Sequence, residues 1–206
     1  MSSLLGKPAP EFSAPAVLAD NSLQEDFSLE ASVGKYRVLF FYPLDFSVVC
    51  PTELLALDER LQEFAERECE VLGISVDSHH THLAWKKTPV EDGGIGPVGF
   101  PLISDLTKEI SRAYGVLMDN AVSLRATFLL DPAGVVRHMT VNGSDLGRNV
   151  PEILRTLDAV RHVDRTGQLC PANWKAGESA REREKGGSVG GPAGIRKKLQ
   201  SFDLKS

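Results

Sequence analysis

The sequence predicts a mixed α/β sandwich, built as one domain over residues 1–166 with a C-terminal extension over residues 167–206. Short apolar runs rich in aromatic and β-branched residues alternate with segments whose apolar residues recur at helical spacing. The last two strand-like runs are joined by a tight turn and followed by a helix, which adds an antiparallel hairpin to this alternation. A chain of 206 residues is long enough to bury a sizeable core.

In the first half of the chain, a strand, a helix and a second strand follow one another. The first strand covers 37–42, where the run is short, apolar and aromatic, and it ends at Pro43. The helix begins near Pro51, because proline suits a first turn in which its missing N–H would have no partner. The next strand covers 71–76. The apolar residues of the helix recur every three or four positions: Leu54, Leu57, Leu61 and Phe64.

The middle of the chain holds two helices separated by a long loop. Residues 77–78 are typical caps for a helix that carries 83–85. Pro89 and the glycines at 93, 94, 96 and 99 mark a long loop. A short strand at 101–103 and a helix over 107–114 follow, with a glycine placed to end that helix.

The hairpin and the last helix complete the predicted domain. Strands at 125–130 and 135–141 are joined by the turn Asp131-Pro-Ala-Gly134. The helix over 150–165 carries its apolar residues on one side. After Trp174 the composition becomes highly charged, then rich in glycine and finally basic, which is typical of a mobile tail.

Composition and net charge limit the classes of partner that the protein is expected to bind. The formal net charge is -5 and the sequence pI is about 5.6, which does not favour a nucleic acid or an anionic membrane surface as partner. The first residues lack the long apolar core of a signal peptide, and no later run is long enough to span a bilayer. A cytoplasmic protein is therefore the expectation.

Cys50 is the candidate nucleophile. It lies at the start of the helix that begins near Pro51, where free N–H groups and the positive end of the helix dipole stabilise a thiolate over a thiol. Cys69 fits a buried structural thiol. The three cysteines form no C-x-x-C pair and no zinc-finger spacing, so any disulfide is expected to be transient and part of a reaction.

The run from Phe41 to Glu53 resembles the peroxidatic motif of typical two-cysteine peroxiredoxins, the alkyl hydroperoxide reductase C and thiol-specific antioxidant family. That motif is proline, three residues, threonine or serine, two residues and cysteine, and Pro43, Ser47 and Cys50 match it. The resemblance implies a thioredoxin-like fold with peroxiredoxin insertions. It also implies a thiol peroxidase for hydrogen peroxide and organic hydroperoxides that needs no bound cofactor. The likeness continues through 76–78, 82–85, 93–96, 125–128 and 169–174.

The resemblance also assigns roles around the thiol. It implies that Arg125 lies beside the thiolate and binds peroxide oxygen, that Glu53 orients this arginine, and that Arg148 is a second arginine of the site. Pro43 would shield the site from water, and the Ser47 hydroxyl would accept from and donate to the reacting atoms. Without the resemblance, Arg125 would be a solvated charge at a strand edge and Glu53 an ordinary first-turn acid. Pro43 would be a strand terminator, and Ser47 a helix N-cap or a turn serine.

The expected product is a Cys50 sulfenic acid, which condenses readily with a second thiol. Cys170 is the candidate, since it lies in a loop flanked by turn residues. The resemblance implies that it resolves Cys50 of the other subunit of a homodimer, and that such dimers can close into rings of five. A bridge of this kind requires local unwinding at Cys50, because its two Cα atoms must come within about 7 Å. Thioredoxin or another dithiol reductant would then reset the enzyme, although related bacterial proteins use a dedicated flavoprotein.

Two further motifs each allow two interpretations. The glycines of 93–96 do not lie between a strand and a helix, so they do not favour a phosphate site. They resemble the motif of easily over-oxidised peroxiredoxins, in which a C-terminal Tyr-Phe pair holds the Cys50 helix folded. Here Ser201 precedes Phe202, so intermediate sensitivity is expected. The cluster of His79, His80 and His82 lacks the neighbouring ligands of a metal site.

Two alternative functions remain open at this stage. A thioredoxin-like dithiol oxidoreductase is disfavoured by the missing C-x-x-C pair. A holdase chaperone or a redox sensor would be a binding role, which family members can acquire as assemblies, and it would be primary only if turnover with thioredoxin were negligible. In this family the C-terminal tail can also pack as an arm over the active site of a partner subunit.

Overall fold

The computed structural model describes residues 3–32 and 34–183, which form a mixed sheet with helices against both of its faces. Short 3₁₀ turns cover Leu29–Ser32 and Val90–Asp92. The strands are β1 Ser13–Val17, β2 Leu23–Ser28, β3 Tyr36–Phe41, β4 Cys69–Ser75, β5 Leu102–Ser104, β6 Leu117–Met118, β7 Val122–Ser123, β8 Arg125–Leu130 and β9 Val136–Asn142. The α-helices are α1 Cys50–Asp58, α2 Leu61–Ala65, α3 His79–Lys87, α4 Glu109–Ala113 and α5 Val150–Thr166.

Within these ranges the main sheet has seven strands in the order β2-β1-β5-β4-β3-β8-β9, and β6 and β7 form a separate small hairpin. β4 pairs in parallel with both β3 and β5, and the remaining pairings of the sheet are antiparallel. The predicted mixed α/β architecture and the β8–β9 hairpin are confirmed. This topology places β3 in the interior of the sheet, between β4 and β8, and its C-terminal end leads into the segment before α1.

β3 contributes to two cores because successive side chains of a strand point to opposite faces. Phe40 is fully buried in the core that contains Leu54 of α1 and Trp85 of α3. Phe41 is fully buried in the core on the other face, where its ring lies 5.2 Å from that of Tyr114. A strand buried on both faces is apolar along most of its length, and β3 ends in four consecutive apolar residues, which is why its sequence signal is clear.

Some elements differ from the sequence expectation. β1 and β2 were not predicted, because their sequences, Ser-Ala-Pro-Ala-Val and Leu-Gln-Glu-Asp-Phe-Ser, each contain only one of the β-branched and aromatic residues that are typical of a strand. The single helix predicted to extend through Phe64 is two helices, because Arg60 adopts φ -114° and ψ 12° and ends the α-helical path. Cys69, expected between a helix and a strand, is the first residue of β4.

The C-terminal part of the domain ends in α5, close to the predicted helix. Asn149 caps this helix, since its side chain accepts a hydrogen bond of 3.0 Å from the Glu152 N–H. Gly167, with φ +71°, ends it in a left-handed turn. In the part of the chain that the structure describes, no helix is long and apolar enough to cross a membrane. The expectation for Ser201 and Phe202 concerns residues outside the described ranges.

Candidate active site

The loop over 43–49 connects the end of β3 to the first turn of α1, where Cys50 is the first helical residue. Pro51 follows it in the first turn, as the sequence predicted. The cap residue Val49 makes no side-chain hydrogen bond to the helix N-terminus. The Cys50 side chain is fully buried in the core that also contains Phe40. The thiol therefore lies at the positive end of a helix and away from bulk solvent.

Arg125, the first residue of β8, lies against the thiol. Its Nη1 donates to the Cys50 Sγ at 3.1 Å and to the Glu53 Oε2 at 2.8 Å. Its Nε donates to the Ser144 carbonyl at 2.7 Å, which fixes the plane of the guanidinium group. Arg125 is only 4% exposed, so its interpretation as a solvated charge at a strand edge is wrong.

Glu53 joins both arginines of the cluster. It accepts hydrogen bonds from the Arg148 backbone N–H at 2.8 Å, from Nε at 2.9 Å and from Nη2 at 3.0 Å, in addition to the bond from Arg125. Arg148 also donates to the Ala126 carbonyl at 2.8 Å, and its guanidinium carbon lies 3.2 Å from the centroid of the Phe40 ring. The paired, two-pronged contacts hold all three side chains in fixed orientations.

The charges in this cluster affect one another strongly. Burial acts to raise the pKa of Glu53, but the hydrogen bonds and positive charge of Arg148 outweigh it, with help from Arg125, and the pKa is lowered. Burial lowers the pKa of Arg148, and its bonds to Glu53 oppose that effect. Glu53 is therefore a carboxylate at neutral pH. Two guanidinium groups and one carboxylate leave one positive charge beside Cys50.

Ser47 and Pro43 lie in the loop rather than in the charged cluster. The Ser47 hydroxyl donates to the Leu44 carbonyl at 2.9 Å and stabilises the turn within the loop. Pro43 is half-buried directly after the end of β3. Both residues thus shape the path of the chain toward Cys50.

A buried polar network that the sequence analysis missed holds the same loop. Asp45 accepts a hydrogen bond of 2.9 Å from the Tyr42 hydroxyl, and its second carboxylate oxygen lies 2.7 Å from the His82 Nδ1. Its backbone N–H donates to the Asp77 carboxylate at 2.9 Å. We call Tyr42, Asp45, Asp77 and His82 the Asp45 network. A signal was present in the sequence, since Asp45 is the only charged residue between Arg37 and Glu53.

Cys170 lies apart from this site, in a segment that folds back on α5. Its Sγ is 3.7 Å from the Ala159 carbonyl, and the thiol is half-buried. Burial raises its pKa, and the positive charge of Arg155 opposes that effect. Leu169 and Arg181 close the segment with two backbone hydrogen bonds of 2.7 and 2.9 Å. All three cysteines are free in the structure.

In the part of the chain that the structure describes, Cys69 and the three clustered histidines have structural roles. Cys69 is buried, as expected, and burial raises its pKa to about 12. His82 is fully buried within the Asp45 network, whereas the rings of His79 and His80 lie against each other at 4.0 Å between centroids. Among the residues that the structure describes, no group of three or more His, Cys, Asp or Glu side chains could hold a metal ion.

The glycines of 93–96 follow α3 and pack against its C-terminal end. The Gly93 carbonyl accepts a hydrogen bond of 3.0 Å from the Trp85 indole. A Cβ on Gly94 would lie 1.9 Å from the Thr88 carbonyl oxygen, so only glycine fits there. This tight packing accounts for the glycine at 94 without a bound phosphate.

Comparison with known proteins gives consistent matches over most of the chain. Residues 5–139 match the model of the AhpC/TSA family, and residues 159–180 match the C-terminal domain of 1-Cys peroxiredoxin. Alkyl hydroperoxide reductase C of Helicobacter pylori is 50% identical over 176 residues, covering 85% of this chain and 89% of the relative. A mitochondrial thioredoxin-dependent peroxide reductase of Drosophila melanogaster is 52% identical over 169 residues, covering 82% of this chain and 71% of the relative.

The solved structures agree with the sequence relatives. The reduced 2-Cys peroxiredoxin of Plasmodium vivax superposes with a TM-score of 0.85 at 52% identity, covering 87% of this chain and 93% of that one. The thioredoxin-like fold expected from the sequence is therefore confirmed.

Proposed function

Because the chain belongs to the AhpC/TSA family of thiol-dependent peroxidases, we propose that Cys50 is the thiol that attacks peroxide and that Cys170 of a partner subunit resolves the product. The protein is a peroxidase and an oxidoreductase, and the resemblance stated from the sequence is confirmed. The charged cluster around Cys50 supports a role in the reaction for each of its residues.

The observation that carries the proposal is the hydrogen bond from Arg125 to the Cys50 sulfur. The two arginines and Glu53 leave one positive charge in a buried site, and a Cys50 thiolate balances it. Burial of an unbalanced charge is costly, so the positive charge of the cluster would stabilise the negative charge on an attacking sulfur. The same Arg125 group would interact with a peroxide oxygen as it approaches the sulfur.

In the proposed reaction the Cys50 thiolate attacks one oxygen of the peroxide. A sulfur–oxygen bond forms while the O–O bond breaks, and the departing oxygen takes up a proton and leaves as water or an alcohol. The peroxide is reduced by two electrons and the sulfur is oxidised to a sulfenic acid. Arg125 would stabilise the charge that develops on the oxygens, and Glu53 and Arg148 would hold Arg125 in place.

Ser47 and Pro43 complete the proposed peroxide site. The Ser47 hydroxyl uses its proton in the bond to Leu44, so its lone pairs remain free to accept a hydrogen bond from a protonated peroxide oxygen. Pro43 presents no N–H, and its half-buried ring would exclude water from the loop.

The sulfenic acid must next meet a second thiol. We propose that Cys170 of a partner subunit supplies it, with release of water as the disulfide forms. A dithiol then reduces the disulfide; the Drosophila relative is named for thioredoxin, which supports thioredoxin as the reductant. A homodimer, its closure into a ring of five dimers, and a cytoplasmic location belong to this proposal.

The test is a non-reducing gel of the reduced protein after one equivalent of hydrogen peroxide, with the linked cysteines mapped by mass spectrometry. We expect a covalent dimer joined through Cys50 and Cys170, its loss in Cys170→Ser, and its persistence in the matched control Cys69→Ser. A monomer carrying the same linkage would contradict resolution by a partner. Absence of any oxidation at Cys50 would overturn its role as the peroxide-reactive thiol.

A further inference from the structure

We propose that Arg155 is a positioning residue of the step in which the sulfenic acid is resolved. In this inference, which rests on the proposed function, Arg155 holds the segment that carries Cys170 on α5 and places a positive charge on the side of the helix where that sulfur lies. The side-chain bonds of Arg155 go to Glu152 and Trp174, so it lies outside the charged cluster around Cys50. It acts on Cys170 of its own chain.

Arg155 and Cys170 occupy adjoining positions on α5. The Cys170 Sγ lies 3.7 Å from the Ala159 carbonyl oxygen, and Ala159 follows Arg155 by one helical turn. Residues at this spacing are neighbours on the surface of a helix. The Nη1 of Arg155 donates to the Trp174 carbonyl at 2.9 Å, so the arginine also contacts the segment that carries Cys170.

Glu152 fixes the orientation of the arginine. The Nε and Nη2 of Arg155 donate to the two carboxylate oxygens of Glu152, each at 2.7 Å. This two-pronged contact sets the plane of the guanidinium group and leaves Nη1 for the Trp174 carbonyl. The Glu152 carboxylate also opposes the positive charge of Arg155, so its removal should strengthen the effect of that charge on Cys170.

The loop that carries Cys170 is anchored at both ends. Gly167 ends α5 in a left-handed turn, and Trp174 is 2% exposed, with its ring 4.8 Å from that of His162. Cys170 lies between these anchors and is half-buried. Because the buried Trp174 ring holds the segment by itself, loss of the Arg155 bond would leave the segment on the helix.

Resolution requires a thiolate at Cys170. Its sulfur attacks the sulfur of the Cys50 sulfenic acid, an S–S bond forms while the S–O bond breaks, and the departing hydroxide takes up a proton and leaves as water. The sulfenic sulfur is reduced and the Cys170 sulfur is oxidised, so no other reagent is consumed. Burial raises the pKa of Cys170, and the positive charge of Arg155 opposes this rise. Arg155 thereby increases the thiolate fraction of Cys170 near neutral pH.

Other charged groups lie around Cys170, and the test must separate them from Arg155. On the side of α5 against which Cys170 packs, the charged and titratable groups are Glu152, Arg155 and His162. In the segment, the groups that contact residues 168–174 are Glu178, Arg181 and Glu182. Measurements start at about pH 7.5, because histidine ordinarily titrates below that pH.

Three variants change the charge in different directions. Arg155→Met removes the charge and keeps an apolar stem, whereas Arg155→Lys keeps the charge. Glu152→Gln removes the opposing charge. Arg161→Met is the matched control, because it makes the same substitution in the same helix at a side chain that lies 6.0 Å from the Tyr36 ring and 3.8 Å from the Glu68 carboxylate.

The first measurement is alkylation of Cys170 in the reduced protein without peroxide. The rate is followed from about pH 7.5 to about pH 10 by mass spectrometry of the alkylated peptides. We expect the apparent pKa of Cys170 to rise in Arg155→Met, to fall in Glu152→Gln, and to stay close to wild type in Arg155→Lys and Arg161→Met. At pH 7.5 alkylation should slow by about threefold in Arg155→Met, since the higher nucleophilicity of a more basic thiolate offsets part of the loss.

The direction of the shift distinguishes a charge effect from a merely structural one. If Arg155 only anchored the segment, Arg155→Met would expose Cys170 to solvent and its apparent pKa would fall, because burial raises it. A fall or no change in Arg155→Met would therefore overturn the proposal. Should Arg155→Met fail to fold, Glu152→Gln still tests the charge, and an apparent pKa of Cys170 that does not fall in that variant would contradict it.

The second measurement compares two rates after rapid mixing with one equivalent of peroxide at pH 7.5. The rate of disulfide formation divided by the rate of Cys50 oxidation should fall by about threefold in Arg155→Met and stay unchanged in Arg161→Met. Slower resolution leaves the sulfenic acid exposed to a second peroxide, so Arg155→Met should give more sulfinate. An unchanged ratio would overturn the role of Arg155 in resolution. Because alkylation needs no turnover, a wild type that forms no disulfide would refute the proposed function of Cys170 and leave the alkylation result standing.

Discussion

At the scale of single residues, a small number of hydrogen bonds connects the charged groups of the site. The Nη1 of Arg125 contacts both the Cys50 sulfur and the Glu53 carboxylate. The carboxylate that balances the charge of Arg125 therefore also sets the orientation of its guanidinium group. A side chain with the same charge but a different shape cannot make these contacts together with the bond to the Ser144 carbonyl.

Arg125→Lys tests this geometry directly. The ammonium group keeps the charge but lacks the planar fork, so we expect oxidation of Cys50 by peroxide to slow at least tenfold. The rate is measured by following intrinsic fluorescence after rapid mixing with hydrogen peroxide. The matched control is Arg137→Lys, a surface arginine paired with Asp131, which should react at the wild-type rate. Equal rates for both variants would contradict the need for a guanidinium at position 125.

Glu53 has a separate effect on stability. Its folded-state pKa lies below its usual value of 4.5, so its ionisation stabilises the fold above that pH and the contribution is lost as the pH falls. Glu53→Gln leaves two buried arginines without their anion, and we expect the free energy of unfolding near pH 7 to fall by about 3 kcal/mol. The difference from wild type should shrink below about pH 4.5 in urea titrations.

The control for this prediction is Glu152→Gln. Glu152 also pairs with an arginine, Arg155, at 2.7 Å, but its side chain is 55% exposed, so solvent screens the pair. We expect a loss well under 1 kcal/mol for this variant. A Glu53→Gln difference that stays constant down to low pH would show that its carboxylate does not stabilise the fold through ionisation.

At the scale of elements, sequence patterns predicted the strands and helices that lie in the cores. β3, β4 and β8 are buried on both faces and are mostly apolar, so the predicted bounds lie within two residues of the observed ones. β1 and β2 were missed because they form at one side of the sheet, where the pairing of β1 with β5 and of β2 with β1 supplies what their propensities lack. The Asp45 network was missed for a related reason: His82 and Asp77 meet Asp45 only after the fold brings their elements together.

The loop after α3 contains a glycine whose substitution should lower the stability of the fold. Gly94→Ala would place a Cβ within 1.9 Å of the Thr88 carbonyl oxygen, so the loop must move away from the end of α3. Overpacking of this kind costs about 1–3 kcal/mol, which thermal unfolding can measure. Gly143→Ala is the control, because a Cβ there meets no atom within 4 Å. Equal stability of the two variants would mean that the loop adapts without strain.

At the scale of the whole molecule, the predicted boundary between the domain and the extension coincides with the end of α5 at Thr166. The described part of the extension nevertheless packs on the domain. Trp174 is 2% exposed, its indole donates to the Glu178 carbonyl at 3.1 Å, and its ring lies 4.8 Å from that of His162. Arg155 of α5 also donates to the Trp174 carbonyl at 2.9 Å. Composition suggested a change of character near Trp174, but it carried no signal for this contact.

This contact determines how freely Cys170 can move, so Trp174→Ala is the last prediction. Removing the buried ring should detach the segment from α5, and we expect alkylation of Cys170 in the reduced protein to accelerate at least tenfold, because a segment without its buried anchor opens more often. The rate is followed by mass spectrometry of the alkylated peptides. Cys69 serves as the internal control, since it is buried in β4 and should react at the same slow rate in both proteins. Faster alkylation of both cysteines would indicate global destabilisation, whereas an unchanged rate at Cys170 would show that Trp174 does not restrain the segment.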